Sequence, residues 1–174
     1  MHDMRLENLL GAAALTVSDR LTRAAADAAG VSASGAAALV TLLTSPGVGV
    51  TELGSRIGLS QPACARMLDQ LSARGLVTRR SGSGRVVPVE LTEAGRDAAR
   101  RALSARQRQL NALVDHLTEE QREALAAGLV PLLDGLFDAV GSEYVLCRLC
   151  DRKACVAGGR QCPVGAAVRV RGGG

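Results

Sequence analysis

The sequence predicts a mostly helical fold with one small β-hairpin, and three observations carry that expectation. Apolar residues make up 47% of the 174 residues but aromatics only 1%, so the interior must be built from Ala, Leu and Val, which suits closely packed helices. Long stretches repeat apolar residues at the three-to-four spacing of a helical face. A single stretch, residues 76–91, holds two β-rich runs around a Gly/Ser turn.

From residue 3 to about 29, Leu6, Leu10, Ala13, Val17, Leu21, Ala24 and Ala28 form one helical face, and Gly30 reads as its C-cap. That face can pack on the chain's own core or on a second subunit. A second helix is expected over residues 34–44, with Ser34 as N-cap and Pro46 and Gly47 closing it.

"GVTELGSRIGLSQPACARMLDQLSARGLV" is the most organised stretch. Thr51 is a candidate N-cap for a short helix ending at Gly58, and Ser60 caps a second one with Pro62 in its first turn, where a missing N–H costs nothing. Two short helices joined by a tight Gly-containing turn form a helix-turn-helix. In the second, Met67, Leu68 and Leu71 can face inward while Gln61, Arg66 and Gln70 face out. Arg and Gln are the side chains that make bidentate contacts to guanine and adenine edges. "LVTRRSGSGRVVPVELT" then supplies the hairpin, strands at residues 76–80 and 86–91 around Ser81, Gly82, Ser83 and Gly84, with Arg85 at its edge. A basic hairpin directly after a helix-turn-helix is a wing.

A long helix is expected from Glu93, capped by Thr92, to about His116. Thr118 with Gln121 reads as a capping box opening a last helix that carries Leu125, Leu129, Leu132, Leu133, Leu136 and Val140 and bends at Pro131. Long apolar helices at both ends of a small DNA-binding core exceed what one compact monomer needs, and a homodimer is their natural use. The expected fold is therefore a winged helix-turn-helix core plus long terminal dimerisation helices. Its parts are residues 1–45 (N-terminal support), 46–92 (DNA-binding lobe), 93–141 (C-terminal dimerisation helices) and 142–174 (cysteine-rich extension).

The net charge of +4 is unevenly spread. Residues 54–85 hold six arginines against Asp69, and residues 147–174 hold five arginines and Lys153 against Asp151, so each segment carries +5 and the remainder is acidic. Two basic islands suit an anionic partner. No leader pattern and no apolar run of membrane-spanning length is seen, so the expectation is a cytoplasmic protein without a membrane partner. No Ser/His/Asp set, paired-carboxylate site or phosphate-binding loop points to an enzyme.

On these residues, "GLSQPACARMLDQLSARGLVTRR" followed by "VVPVELTEAGR", the chain resembles the MarR family of winged helix-turn-helix transcriptional regulators, over roughly residues 6–140. The resemblance implies a homodimer on double-stranded DNA with a palindromic operator, its recognition helices in successive major grooves and its wings at the neighbouring minor grooves. It places Ser60, Gln61, Ala63, Arg66 and Gln70 on the recognition helix and Arg85 at the wing tip. Family members usually have an acidic residue two positions before that arginine, where this chain has Ser83. Arg79 and Arg80 remain as phosphate contacts.

The resemblance does not reach "CRLCDRKACVAGGRQCP", which holds four of the five cysteines. Cys147, Cys150, Cys155 and Cys162 are spaced C-x2-C-x4-C-x6-C with Pro163 directly after and Gly158 and Gly159 in the last interval. Thiolates are soft ligands, and glycine hinges let a short loop wrap one centre. A four-thiolate zinc site fits. An iron–sulfur cluster fits as well, and is favoured as a two-iron (2Fe–2S) centre because redox-sensing regulators of the MerR type carry a similarly placed C-terminal cluster. Cys64, in the recognition helix, reads as a small buried hydrophobe.

The resulting expectation is a MarR-like regulator, a repressor, whose operator affinity is controlled by a redox-sensing metal centre. One alternative is a MarR-like regulator with structural zinc that senses a small molecule in the dimer cleft. A remote one is a small redox metalloprotein.

Overall fold

The computed structural model describes residues 4–80 and 87–171. Helix α1 (Arg5–Ala29) stops at Gly30, whose φ of 68° is left-handed. Helix α2 (Ala33–Thr44) begins at Ser32, whose hydroxyl accepts from the Gly35 amide at 3.1 Å. The cap expected at Ser34 therefore lies two residues earlier. Helix α3 (Val50–Ile57) starts after Gly49 rather than Thr51 and ends at Gly58, and α4 (Gln61–Ala73) follows with Ser60 at its N-cap and Pro62 in its first turn. These shifts are small because several polar residues compete for each cap.

Strands β1 (Val77–Arg79) and β2 (Val89–Leu91) pair antiparallel, with Val77 opposite Leu91 and Arg79 opposite Val89. The loop before α3 joins this hairpin from its other side: Gly49 bridges Pro88, and the Val89 amide donates to the Val48 carbonyl at 3.1 Å. The wing is thereby stitched to the start of the helix-turn-helix. Its expected tip, Ser81 to Gly84 with Arg85, lies outside the described residues.

Helix α5 (Glu93–Val114) is capped by Thr92, which accepts from the Gly95 amide, and α6 (Glu119–Val140) opens on the expected capping box between Thr118 and Gln121. Pro131 lies inside α6. The extension then folds into α7 (Glu143–Leu146), α8 (Arg152–Cys155), a 3-10 turn (Ala157–Gly159) and α9 (Pro163–Arg171).

The core is built as the composition demands. Ala25 and Ala29 of α1, Ala36 and Ala38 of α2, and Ala98, Ala99 and Ala102 of α5 meet around Leu39, Leu42, Leu53, Leu68, Val77 and Val89. Alanine at these crossings lets helix axes approach closely. Only the last third of α1 is buried, at Ala25 and Ala29 rather than at the expected Ala24 and Ala28. Leu6, Leu9, Leu10 and Leu15 are exposed, and α6 buries no residue while exposing Leu125, Leu129, Val130, Leu136 and Val140. Both terminal helices thus carry apolar surface that this chain alone leaves uncovered. Among the described residues no single helix is long and apolar enough to cross a membrane.

Candidate functional site

Helix α4 is set by its buried face. Cys64, Met67, Leu68 and Leu71 are buried, and the i, i+3, i+4, i+7 spacing leaves Ser60, Gln61, Arg66 and Gln70 exposed on the opposite side, with Ala63 half-buried. The α3–α4 approach is tight: a Cβ on Gly54 would lie 3.0 Å from the Leu59 carbonyl oxygen and 3.3 Å from the Cys64 Cβ. Cys64 is fully buried there, and burial pushes its thiol up against the lowering influence of Arg79. A small side chain is what this crossing requires, consistent with a packing role.

Arg79 and Arg80 differ in surroundings. The Arg79 guanidinium pairs with Asp69 at 2.8 Å and donates to the Ala65 carbonyl at 3.2 Å, both on α4. It braces β1 against α4. Arg80 is more exposed and reaches Glu90 at 3.4 Å, leaving its charge available to an outside anion. Neither these arginine contacts nor Asp69's role is legible in the helical periodicity, because they join residues of different elements. Together α4 and the wing form one face presenting Gln61, Arg66, Gln70 and Arg80 outward.

The second site is the extension. Cys147 closes α7, Cys155 ends α8 and Cys162 immediately precedes α9, where its sulfur accepts from the Gly165 amide at 3.4 Å. Gly158 and Gly159, at φ of 71° and 75°, turn the chain between the third and fourth cysteines in the left-handed region that side chains avoid. The Asp151 carboxylate caps α8 by accepting from the Ala154 amide. All four sulfurs line one cavity of about 310 Å³, walled on the far side by Val40, Thr41 and Thr44 of α2 and flanked by Arg148, Arg152 and Arg169.

Within it Cys147, Cys150, Cys155 and Cys162 lie close enough for the thiols to shift one another's titration. The hydrogen bond to Cys150 and burial push Cys147 up, while the same bond and the nearby Arg106 bring Cys150 down to about 6. Burial, then the neighbouring sulfurs, raises Cys155. Clustered sulfurs repel one another's negative charge, so a thiolate at Cys150 leaves Cys147 and Cys155 held protonated. Among the described residues no three His, Cys, Asp or Glu side chains already stand in the close array that holds an ion. The four cysteines share a cavity without forming a preformed ligand cage.

The extension is also fastened at both ends. Arg171 of α9 donates to both carboxylate oxygens of Asp134 at 2.8 and 3.1 Å and pairs with Asp138 at 2.6 Å, over the ring of Phe137. On the lobe side the Arg56 guanidinium lies 4.1 Å from the centre of the Tyr144 ring, and Leu149 packs on the main core.

Comparison with known proteins bears on the first of these sites. Residues 31–84, which span α2 to the start of the wing, match the model of the MarR family. No curated protein matches the chain. Among solved structures, the MarR family protein Rv2887 of Mycobacterium tuberculosis in complex with DNA is 25% identical, with 75% of this chain and 98% of that one covered at a TM-score of 0.61. Its complex with salicylic acid is 27% identical over 75% of this chain and 97% of that one, at 0.57. A MarR family protein from Bacillus stearothermophilus shares the fold, at 24% identity, a TM-score of 0.68 and 78% and 98% coverage. Residues 31–84 are thus similar to the MarR family, and the chain shares the winged helix-turn-helix fold of these solved structures.

Proposed function

We propose that this regulator binds a palindromic DNA operator as a homodimer, and that a metal centre held by Cys147, Cys150, Cys155 and Cys162 sets its operator affinity. The convergence of the four sulfurs in one cavity against α2 carries the reading. The DNA complex of the related Rv2887 supports the output side. Ser60, Gln61, Ala63, Arg66 and Gln70 enter the major groove, Arg79 and Arg80 hold the backbone, and Arg85 reaches from the wing. The exposed leucines of α1 and α6 become the dimer interface.

The donor set fits a soft metal: four sulfurs on short, glycine-hinged turns. Binding exchanges the thiol protons for metal, so affinity rises with pH and with the thiolate already favoured at Cys150. Four thiolates around Zn²⁺ or an oxidised two-iron cluster carry a net −2, which the arginines lining the cavity offset. We favour the two-iron cluster, which Cys147, Cys150, Cys155 and Cys162 would hold and which would supply a one-electron redox centre beside Arg148, Arg152 and Arg169. Protein purified without oxygen should be coloured, contain iron and sulfide, and bind its operator differently from the metal-free form. A colourless protein with one zinc per chain would exclude the cluster.

That outcome would favour a second reading, a structural zinc with sensing of a small aromatic acid in the dimer cleft. The salicylic acid complex of the related Rv2887 supports it. Operator release by salicylate without loss of metal would establish it.

A further inference from the structure

Helix α6 packs mainly on α7 and α9, and α7 in turn packs on α3. The extension therefore stands between the long C-terminal helix and the DNA-binding lobe. Its bearing on the lobe is Tyr144, under the guanidinium of Arg56. That arginine is largely buried, salt-bridged to Glu52 at 2.5 Å, and its Nε has no hydrogen-bond partner among the described residues. The aromatic face fills that side of the cation. Beyond Arg56, α3 packs directly on α4, so closely that a Cβ on Gly54 would lie 3.3 Å from the Cys64 Cβ. At its other end the extension is pinned to α6 by Arg171 on Asp134 and Asp138.

We infer that the cysteine-rich extension is a strut that transmits the state of the four sulfurs to the recognition helix through the Tyr144–Arg56 contact. This rests on the proposed role of the thiols as the input. Cys147 is three residues beyond Tyr144, and α7 is a single turn, so drawing Cys147 toward a metal moves the tyrosine ring with it. The path to α4 then runs across packed side chains, independent of the covalent link at Gly141.

Full-length protein purified without oxygen is compared with Tyr144→Leu and Tyr144→Phe, each before and after EDTA treatment in reducing buffer. Metal content, amide exchange of α3 and affinity for duplex DNA selected by the parent from a random pool are measured. Metal removal should change the parent's α3 exchange and DNA affinity severalfold. Tyr144→Leu should keep the parent's metal yet change less than twofold in both, and Tyr144→Phe, which retains the ring, should respond like the parent. A Tyr144→Leu protein that keeps both the metal and the full response overturns the strut while leaving the metal centre standing. If the parent binds no metal, the proposed input fails and the strut is overturned with it.

Discussion

Gly95, in the first turn of α5, lies so close under the Leu76 carbonyl that a Cβ at that position would overlap the oxygen and fall 2.9 Å from the carbonyl carbon. The same corner is tied by Thr92, whose amide donates to Leu76 O at 3.1 Å and whose hydroxyl donates to Gly75 O at 2.7 Å. The helix that follows the wing is thus seated directly on the chain leaving the recognition helix. This is why "LTEAGR" has its glycine: only a residue without a side chain permits the approach.

Gly95→Ala must push backbone away from backbone, which overpacked sites resist at a cost of about 1–3 kcal/mol or more. Urea denaturation should show a midpoint loss of that size with an unchanged slope. DNA affinity should fall too, because the wing and α4 share the displaced corner. Stability equal to the parent's would mean that α5 is not seated there.

The two proposed kinds of DNA contact should separate by their salt dependence. Arg66→Ala should cost about 1–3 kcal/mol on the preferred operator and little on random DNA, because a bidentate base contact is lost. Arg80→Ala should weaken both alike and lower the slope of log affinity against log salt by about one. Titrations at four salt concentrations on both duplexes test the assignment, which fails if the two variants behave identically.

Thiol chemistry in metal-free protein should follow the geometry. With Cys150 brought down to about 6 it is largely thiolate at pH 7, whereas burial holds the Cys64 thiol up and out of reach. A brief iodoacetamide pulse mapped by mass spectrometry should label Cys150 first and Cys64 last. Labelling of Cys64 at a comparable rate would contradict its place under Gly54.

The latch between α9 and α6 is electrostatic and should open in acid. The hydrogen bonds from Arg171 hold the Asp134 carboxyl below its usual range. Its contribution is therefore complete above the ordinary carboxylate value near 4 and is lost as pH falls through the lower value of the folded protein. Protection of the α9 amides, taken relative to their intrinsic exchange rates, should fall as pH drops below about 4 in the parent, and should already be low at pH 6 in Arg171→Ala. Salt should produce the same opening, since the pair is partly exposed.

Local rules of the chain determined most of the elements. Apolar spacing marked the helices, the Ser60–Pro62 start and the Thr118–Gln121 box set their ends, and the Gly/Ser break between β-rich runs marked the hairpin, because each depends on neighbours within a few residues. The cap at Ser32 was less legible because Ser34 competes for the same role, and the one at Gly49 because no side chain caps that end. The spacing of the four cysteines pointed to a shared centre. What tertiary structure alone decided was which distant residues meet: Arg79 with Asp69, Arg56 with Tyr144, Arg171 with Asp134 and Asp138, and the four sulfurs against Val40 and Thr41 of α2. These contacts arise from how helices cross, a property of the packed whole that no window of sequence contains. They turn a cysteine motif that reads as an appendix into a part wedged between the long helices and the DNA-binding lobe.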